Sequence, residues 1–183
     1  MASLRQLRSP GNLYKLCGSY IKDRTAFLTM NNGMPQRNIS KGCLQGSASR
    51  PGLWNILYNS LLNLEYRQNT KVIAYADDLM IFVKGTSQVE VENYANIEIK
   101  KVANWARNNK MRFNDQKSKV TIITKKKPKN RRYINIFLNK KKLQQADTMN
   151  YLGITIDRRF TFNHHIDKIT GKSKDYPCTF KAR

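Results

Sequence analysis

Two short apolar runs, residues 72–75 and 79–83, are joined only by Ala76, Asp77 and Asp78. A connection this short between two strand-like runs favours a β-hairpin. Adjacent carboxylates repel each other, so the fold must leave both in water or neutralise them with a cation. Hard ions such as Mg²⁺ bind carboxylate oxygens together with substrate phosphates. The sequence therefore predicts a hairpin with two acids at its tip, which is either an ordinary Asp-rich turn or a metal site.

The chain is strongly basic, and its charge is unevenly distributed. Its 183 residues include 34 Lys and Arg but only 12 Asp and Glu, which gives a net charge of +22. Such an excess predicts a polyanionic partner, because Lys and Arg that neutralise phosphates release counterions. Residues 125–142 hold nine of the basic residues and no acid. The candidates for contact with a nucleic-acid backbone are Lys125, Lys126, Lys127, Lys129, Arg131 and Arg132. This run could also be a solvated loop or a nuclear-import segment.

Several classes of protein are disfavoured by the sequence. The apolar stretches are too short to cross a membrane, and the first eight residues have no apolar core of a secretion signal. Cys17, Cys43 and Cys178 are odd in number and far apart, so neither a disulfide framework nor a zinc ribbon is supported. We expect an intracellular protein of a reducing compartment, in the nucleus or the cytoplasm, without membrane association.

Hydrophobic periodicity predicts an α+β fold with an antiparallel sheet. Helices are expected over residues 10–21 and 51–64, and a long helix should begin at a capping box formed by Ser87 and Glu90. Besides the acidic hairpin, strands are expected over residues 24–30, 35–39, 120–124, 133–138 and 151–156.

Four segments resemble motifs of the reverse transcriptases, in the order typical of that family. They are the substrate-loop motif at residues 42–55, the Tyr75-Ala76-Asp77-Asp78 signature, the lysine motif at residues 114–118 and the primer-grip motif at residues 151–157. The variant resembles non-LTR, LINE-type retrotransposons, and it covers residues 4–170. One such motif alone would be a weak signal, whereas four in order are specific.

The resemblance implies a polymerase palm-like antiparallel sheet with packed helices, incomplete fingers and no complete thumb. Residues 1–170 would form a partial reverse transcriptase domain, followed by a short tail at 171–183. Within it, the segments would be fingers and palm at 1–64 with a substrate loop at 40–52, palm at 65–124, and a basic loop with primer-grip strands at 125–170.

The resemblance also implies RNA-directed DNA polymerisation by two-metal nucleotidyl transfer. Mg²⁺ or Mn²⁺ would be the cofactor, and the partners would be an RNA template, a DNA primer and deoxynucleoside triphosphates. The implied roles are metal binding by Asp77 and Asp78, proton donation near the pyrophosphate by Lys117, contact with nucleotide and template by Gln45, Gly46 and Ser47, and primer binding by Tyr151, Leu152 and Gly153.

The chain departs from the family pattern at an upstream acid, at Leu44 and at Ser49-Arg50, where the family has smaller residues. The family has a further Asp upstream of the substrate loop, whereas Asp23 is the only acid before Glu65 and lies in a different family segment. Leu44 stands where the family usually has Pro. We therefore expect a truncated copy that polymerises DNA poorly. Two alternatives to a polymerase stay open: a basic nucleic-acid-binding module without catalysis, and a degenerate relic.

Overall fold

The computed structural model describes residues 4–5, 7–29, 33–39, 42, 46–124 and 133–174. Gln45 and the basic run at 125–132 lie outside the described residues. The elements, in chain order, are α1 (Gly11–Ile21), β1 (Arg24–Phe27), β2 (Gln36–Ile39), α2 (Arg50–Leu62), β3 (Thr70–Tyr75), β4 (Asp78–Val83), α3 (Gln88–Asn108), β5 (Lys119–Val120), β6 (Phe137–Leu138), β7 (Lys141–Lys142), β8 (Gln144–Gln145), β9 (Thr148–Tyr151), β10 (Ile154–Asp157) and α4 (Asn163–Lys174). None of the described helices is long and apolar enough to cross a membrane.

The chain divides into two compact units, one of Met1–Glu65 with Lys71–Phe82 and one of Tyr66–Thr70 with Val83–Arg183. In the first unit, β1 and β2 lie within the two predicted strands and form an antiparallel pair. Helix α2 has Pro in its first turn, where the missing N–H costs no hydrogen bond, and it buries Tyr58 and Leu61. The acidic hairpin of β3 and β4 is a separate two-stranded sheet, and most of it belongs to the same unit.

The second unit is organised by the long helix α3, whose predicted start is confirmed. Ser87 Oγ accepts a hydrogen bond from the Glu90 N–H at 3.1 Å. The Glu90 carboxylate turns back to accept from the hydroxyl and the N–H of Thr86, and these bonds lower its pKa to about 2. The helix packs through Ala95, Ile99 and Ala103 against a cluster formed by Ile134, Ile136, Leu138 and Leu143.

The strands do not form the single antiparallel sheet that the sequence predicts. The described strands pair two by two, and β5 with β8 is a parallel pair. The α+β class is confirmed, while the palm-like sheet stays a prediction. Predicted strand 120–124 is reduced to β5, and predicted strand 133–138 to β6.

The shortening of strand 133–138 has a visible cause in α3. Its side chains alternate as a strand requires, since Ile134 and Ile136 are buried and Asn135 is exposed. However, the Asn96 amide donates to the Asn135 carbonyl at 2.8 Å, and the Glu92 carboxylate accepts from the Asn135 N–H at 2.9 Å. Helix side chains thus occupy backbone groups that a neighbouring strand would otherwise pair.

A buried carboxylate also organises the second unit. Glu98 on α3 is fully buried and lies 3.0 Å from the Lys101 ammonium. Burial and the Glu98 charge together raise the pKa of Tyr66 to about 12. A buried carboxylate depends strongly on such partners, because an unpaired charge in the interior is costly.

The turn before α4 is held by Asp157. Burial disfavours the charged form of its carboxylate, but hydrogen bonds from the N–H groups of Arg159, Thr161 and Phe162 outweigh burial and lower its pKa to about 2. The Thr161 hydroxyl donates to the same carboxylate at 3.1 Å. This arrangement connects β10 to α4, and no residue pattern predicts it.

Asp157 predicts a specific pH dependence of stability. A carboxylate whose pKa is lower in the folded than in the unfolded chain stabilises the fold above the unfolded pKa of about 3.9. This stabilisation should disappear as the pH falls from about 4 to about 2. Thermal unfolding should therefore show a melting temperature that falls more steeply over this range in the unmodified chain than in Asp157→Asn. Asp167→Asn, at an exposed position on α4, is the control and should follow the unmodified chain. Parallel curves for all three proteins would contradict this role of Asp157.

Candidate metal and nucleic-acid site

The two acids lie where the β3–β4 hairpin turns. Ala76 and Asp77 form the two-residue connection, and Asp78 is the first residue of β4. Both carboxylates are exposed to solvent. The predicted hairpin is confirmed, with the refinement that Asp77 belongs to the turn and Asp78 to the strand.

The turn depends on an unfavourable backbone conformation at Ala76. Its φ of +50° lies in the left-handed region, which costs a residue with a Cβ roughly 1–2 kcal/mol. The indole N–H of Trp54, on α2, donates a hydrogen bond to the Ala76 carbonyl at 2.6 Å. Trp54 therefore contacts the peptide group that directly precedes Asp77.

Tyr58 is a buried tyrosine whose pKa responds to the two acids. It lies one helical turn after Trp54 on α2, and the two rings stack with centroids 4.5 Å apart. Tyr58 is 4% exposed. Burial raises the pKa of its hydroxyl, and the negative charges of Asp77 and Asp78 raise it further. The two acids thus act electrostatically on Tyr58, one member of the aromatic pair that α2 supplies.

The donor set at the hairpin fits a hard divalent cation. Asp77 and Asp78 supply carboxylate oxygens, which are the ligands that Mg²⁺ prefers. Neither carboxylate has a hydrogen bond or an ion pair to another residue within the part of the chain that the structure describes. Among the same residues, no group of three or more His, Cys, Asp or Glu is placed to hold a metal ion. The hairpin therefore offers a two-carboxylate site whose remaining ligands would be water or phosphate.

The predicted substrate loop is described only in part, at Gly42 and from Gly46 onward. Gly46 has a φ of +84°, which favours glycine, and none of the described residues would crowd a side chain there. The Tyr20 hydroxyl donates to Ser47 Oγ at 3.2 Å, and the Arg24 guanidinium donates to the Gly42 carbonyl at 2.6 Å. Contacts from α1 and β1 thus hold both ends of this loop within the first unit.

Lys117 lies in the second unit, on a tight turn before β5. The Asn114 side-chain oxygen accepts from the N–H groups of Gln116 and Lys117 at 3.0 and 3.2 Å. Asp115 anchors the same turn, since its carboxylate lies 3.3 Å from the Lys141 ammonium and its side chain is 7% exposed. The turn leaves the Lys117 side chain exposed to solvent.

The predicted primer-grip strand at 151–156 is a hairpin instead, also in the second unit. Tyr151 ends β9, Leu152 and Gly153 form the turn, and β10 begins at Ile154. Leu152 and Gly153 have φ values of +50° and +84°, the pair of positive φ values that a type I′ hairpin turn requires. Leu152 is 47% exposed at the tip. An apolar run had suggested an unbroken strand, and the Gly was the available signal of a turn.

The acidic hairpin and its neighbouring segments lie in a part of the chain that matches a known protein family. The profile of the reverse transcriptase (RNA-dependent DNA polymerase) family matches residues 5–156. The chain belongs to the reverse transcriptase family. The identification from sequence motifs, as a reverse transcriptase of the non-LTR retrotransposon kind, is confirmed. The matched residues include Asp77, Asp78, the loop at Gly46 and the turn of Lys117.

Individual relatives carry names of retrotransposon proteins. The Pol polyprotein of the type-1 retrotransposable element R1 of Nasonia vitripennis is 30% identical over 66% of this chain and 37% of its own length. A putative 115 kDa protein of the element R1DM of Drosophila melanogaster is 29% identical over 81% of the chain and 14% of its own length. The RNA-directed DNA polymerase of the mobile element jockey, also from Drosophila melanogaster, is 25% identical over 87% of the chain and 18% of its own length.

The matched region therefore accounts for between 14% and 37% of the length of these three relatives. No solved structure gives a significant match to this reverse transcriptase sequence.

Proposed function

We propose that this chain supplies the metal-binding hairpin and substrate loop of an RNA-directed DNA polymerase. The observation that carries the proposal is the exposed Asp77–Asp78 pair at a strained hairpin turn, within the segment that matches the reverse transcriptase family. The names of the R1 and jockey relatives support the same activity. The hairpin would belong to a palm-like sheet in the assembled polymerase.

Asp77 and Asp78 would hold the divalent cation, either Mg²⁺ or Mn²⁺. Bound divalent ions would activate the primer 3′-hydroxyl and stabilise charge on the reacting phosphate and the leaving pyrophosphate. Asp77, in the turn, would be the chief ligand, and Asp78 would lie beside it on β4. Phosphate oxygens would complete the coordination, since carboxylates and substrate phosphates together are a common Mg²⁺ environment.

Three further segments would bind substrates. Gln45, Gly46 and Ser47 would line the incoming deoxynucleoside triphosphate and the template base. Lys117 would donate a proton near the pyrophosphate; its ammonium is exposed on a turn that the Asn114 side chain holds. Tyr151, Leu152 and Gly153 would seat the primer end at the β9–β10 hairpin.

The nucleic-acid partners would be an RNA template paired with a DNA primer. The net charge of +22 supports binding to such a polyanion. The run from Lys125 to Arg132 would contact the backbone. An intracellular location, in the nucleus or the cytoplasm, would provide these partners.

A binding module without catalysis is the second candidate, and the charge alone favours it as much as a polymerase. The two differ in how they respond to nucleotides. A polymerase site pairs the incoming nucleotide with the template, so a complementary nucleotide adds contacts that a mismatched one cannot make. A simple backbone-binding surface has no such preference.

The deciding experiment is the dissociation rate of the chain from an RNA–DNA primer–template whose primer lacks a 3′-hydroxyl. With Mg²⁺ present, the complementary deoxynucleoside triphosphate is expected to slow dissociation, and the three others are not. The double variant Asp77→Asn/Asp78→Asn should lose this discrimination. Equal rates with all four nucleotides in the unmodified chain would support the binding module instead.

A further inference from the structure

We infer that Trp54 is a positioning residue for the metal site, because its indole N–H holds the carbonyl of Ala76 and thereby fixes the turn that presents Asp77. The inference rests on the proposed cation site at Asp77 and Asp78, and it adds a residue from α2 to that site. Its basis is the 2.6 Å hydrogen bond from Trp54 Nε1 to Ala76 O.

The geometry connects this bond directly to the first carboxylate. The Ala76 carbonyl belongs to the peptide group that joins Ala76 to Asp77, and a peptide group is planar. Fixing the carbonyl therefore fixes the plane from which the Asp77 backbone continues. Ala76 has an unfavourable φ in the left-handed region. When the hydrogen bond is lost, we expect the turn to move toward a more favourable backbone conformation.

A second contact fixes the indole itself. Trp54 stacks on Tyr58 at 4.5 Å, and Tyr58 is almost fully buried in the first unit. Helix α2 thus carries a rigid donor whose direction is set by a buried neighbour. Preorganised ligands bind a cation more tightly because less freedom is lost on binding.

The proposed consequence is a change in cation affinity without a change in the identity of the ligands. Trp54→Phe keeps an aromatic ring to stack on Tyr58 but removes the N–H donor. We expect Mn²⁺ to bind the hairpin about tenfold more weakly in this variant, which is the effect of one lost hydrogen bond. Mn²⁺ binding is measured by electron paramagnetic resonance of the free ion. The melting temperature and the affinity for primer–template in EDTA should stay close to those of the unmodified chain.

The matched control is Trp105→Phe, which changes the other tryptophan. Trp105 is buried on α3 in the second unit. Its replacement should lower the melting temperature and leave the Mn²⁺ affinity unchanged. Equal Mn²⁺ affinity in Trp54→Phe and the unmodified chain would overturn the inference, and so would an equal loss in Trp105→Phe.

A measurement on the unmodified Trp54 tests the inference even if the Trp54 variant does not fold. The Trp54 indole proton, assigned in nuclear magnetic resonance spectra by comparison with Trp105→Phe, should exchange slowly with solvent and should be broadened by Mn²⁺. Exchange as fast as that of a solvated indole would overturn the inference.

If Asp77→Asn/Asp78→Asn leaves Mn²⁺ affinity intact, the proposed metal site itself fails. If that variant loses affinity and Trp54→Phe does not, only the role of Trp54 fails.

Discussion

Asn in place of both Asp77 and Asp78 is expected to weaken Mn²⁺ binding at the hairpin by more than about a hundredfold, because loss of groups that merely orient metal ligands already costs 10- to 100-fold. Both side chains keep their size and one oxygen, but the neutral amide oxygen is a weaker ligand and carries no charge. The repulsion between the two carboxylates also disappears, so the variant hairpin should remain folded. Titration with Mn²⁺, followed by electron paramagnetic resonance, measures the change.

A matched variant separates the site from the general charge of the chain. Asp23→Asn/Asp167→Asn removes the same two negative charges at exposed positions, and Asn tolerates the left-handed φ of +48° at Asp23. This control should keep the Mn²⁺ affinity of the unmodified chain. If both double variants lose affinity equally, the cation binds to diffuse charge and the hairpin is not a metal site.

Binding to nucleic acid should depend steeply on salt. A protein that makes six to ten phosphate contacts loses about 10³- to 10⁵-fold in affinity between 50 and 200 mM salt. Because the net charge is +22, we expect a loss of affinity of this size for both RNA and DNA. We also expect little preference for sequence, since contacts with phosphates do not distinguish bases. Fluorescence anisotropy at several salt concentrations gives the slope, and an affinity independent of salt would contradict it.

The contribution of the basic run can be isolated by two variants of equal charge. Replacing Lys125, Lys126, Lys127, Lys129, Arg131 and Arg132 with Ser should flatten the slope by about 0.7–0.9 for each phosphate contact that is lost. The control replaces six exposed lysines elsewhere with Ser: Lys15, Lys22, Lys71, Lys84, Lys100 and Lys110. A smaller effect of the control locates the contact at 125–132, whereas equal effects would show that the charge acts without a specific surface.

Local patterns in the sequence were sufficient for the elements that depend on neighbouring residues. The acidic hairpin follows from two apolar runs, because the three residues that join them are too few for anything but a tight turn between two strands. The start of α3 follows from Ser87 and Glu90, because a side-chain cap acts within one turn of helix. The order of four motifs was sufficient to identify the family, since it depends only on residue types at given positions along the chain.

Contacts between distant segments were decided only by the tertiary structure. Residues 133–138 have the alternation of a strand, yet Asn96 and Glu92 of α3 take backbone groups that would otherwise pair. In the sequence, Asp157 is one more polar residue after a predicted strand. Only in the folded chain do the N–H groups of the following turn donate to its carboxylate. Trp54 fits an apolar helix face, and only the folded chain brings its N–H to Ala76. Periodicity reports which face of an element is buried, whereas a hydrogen bond between segments depends on position and direction in three dimensions.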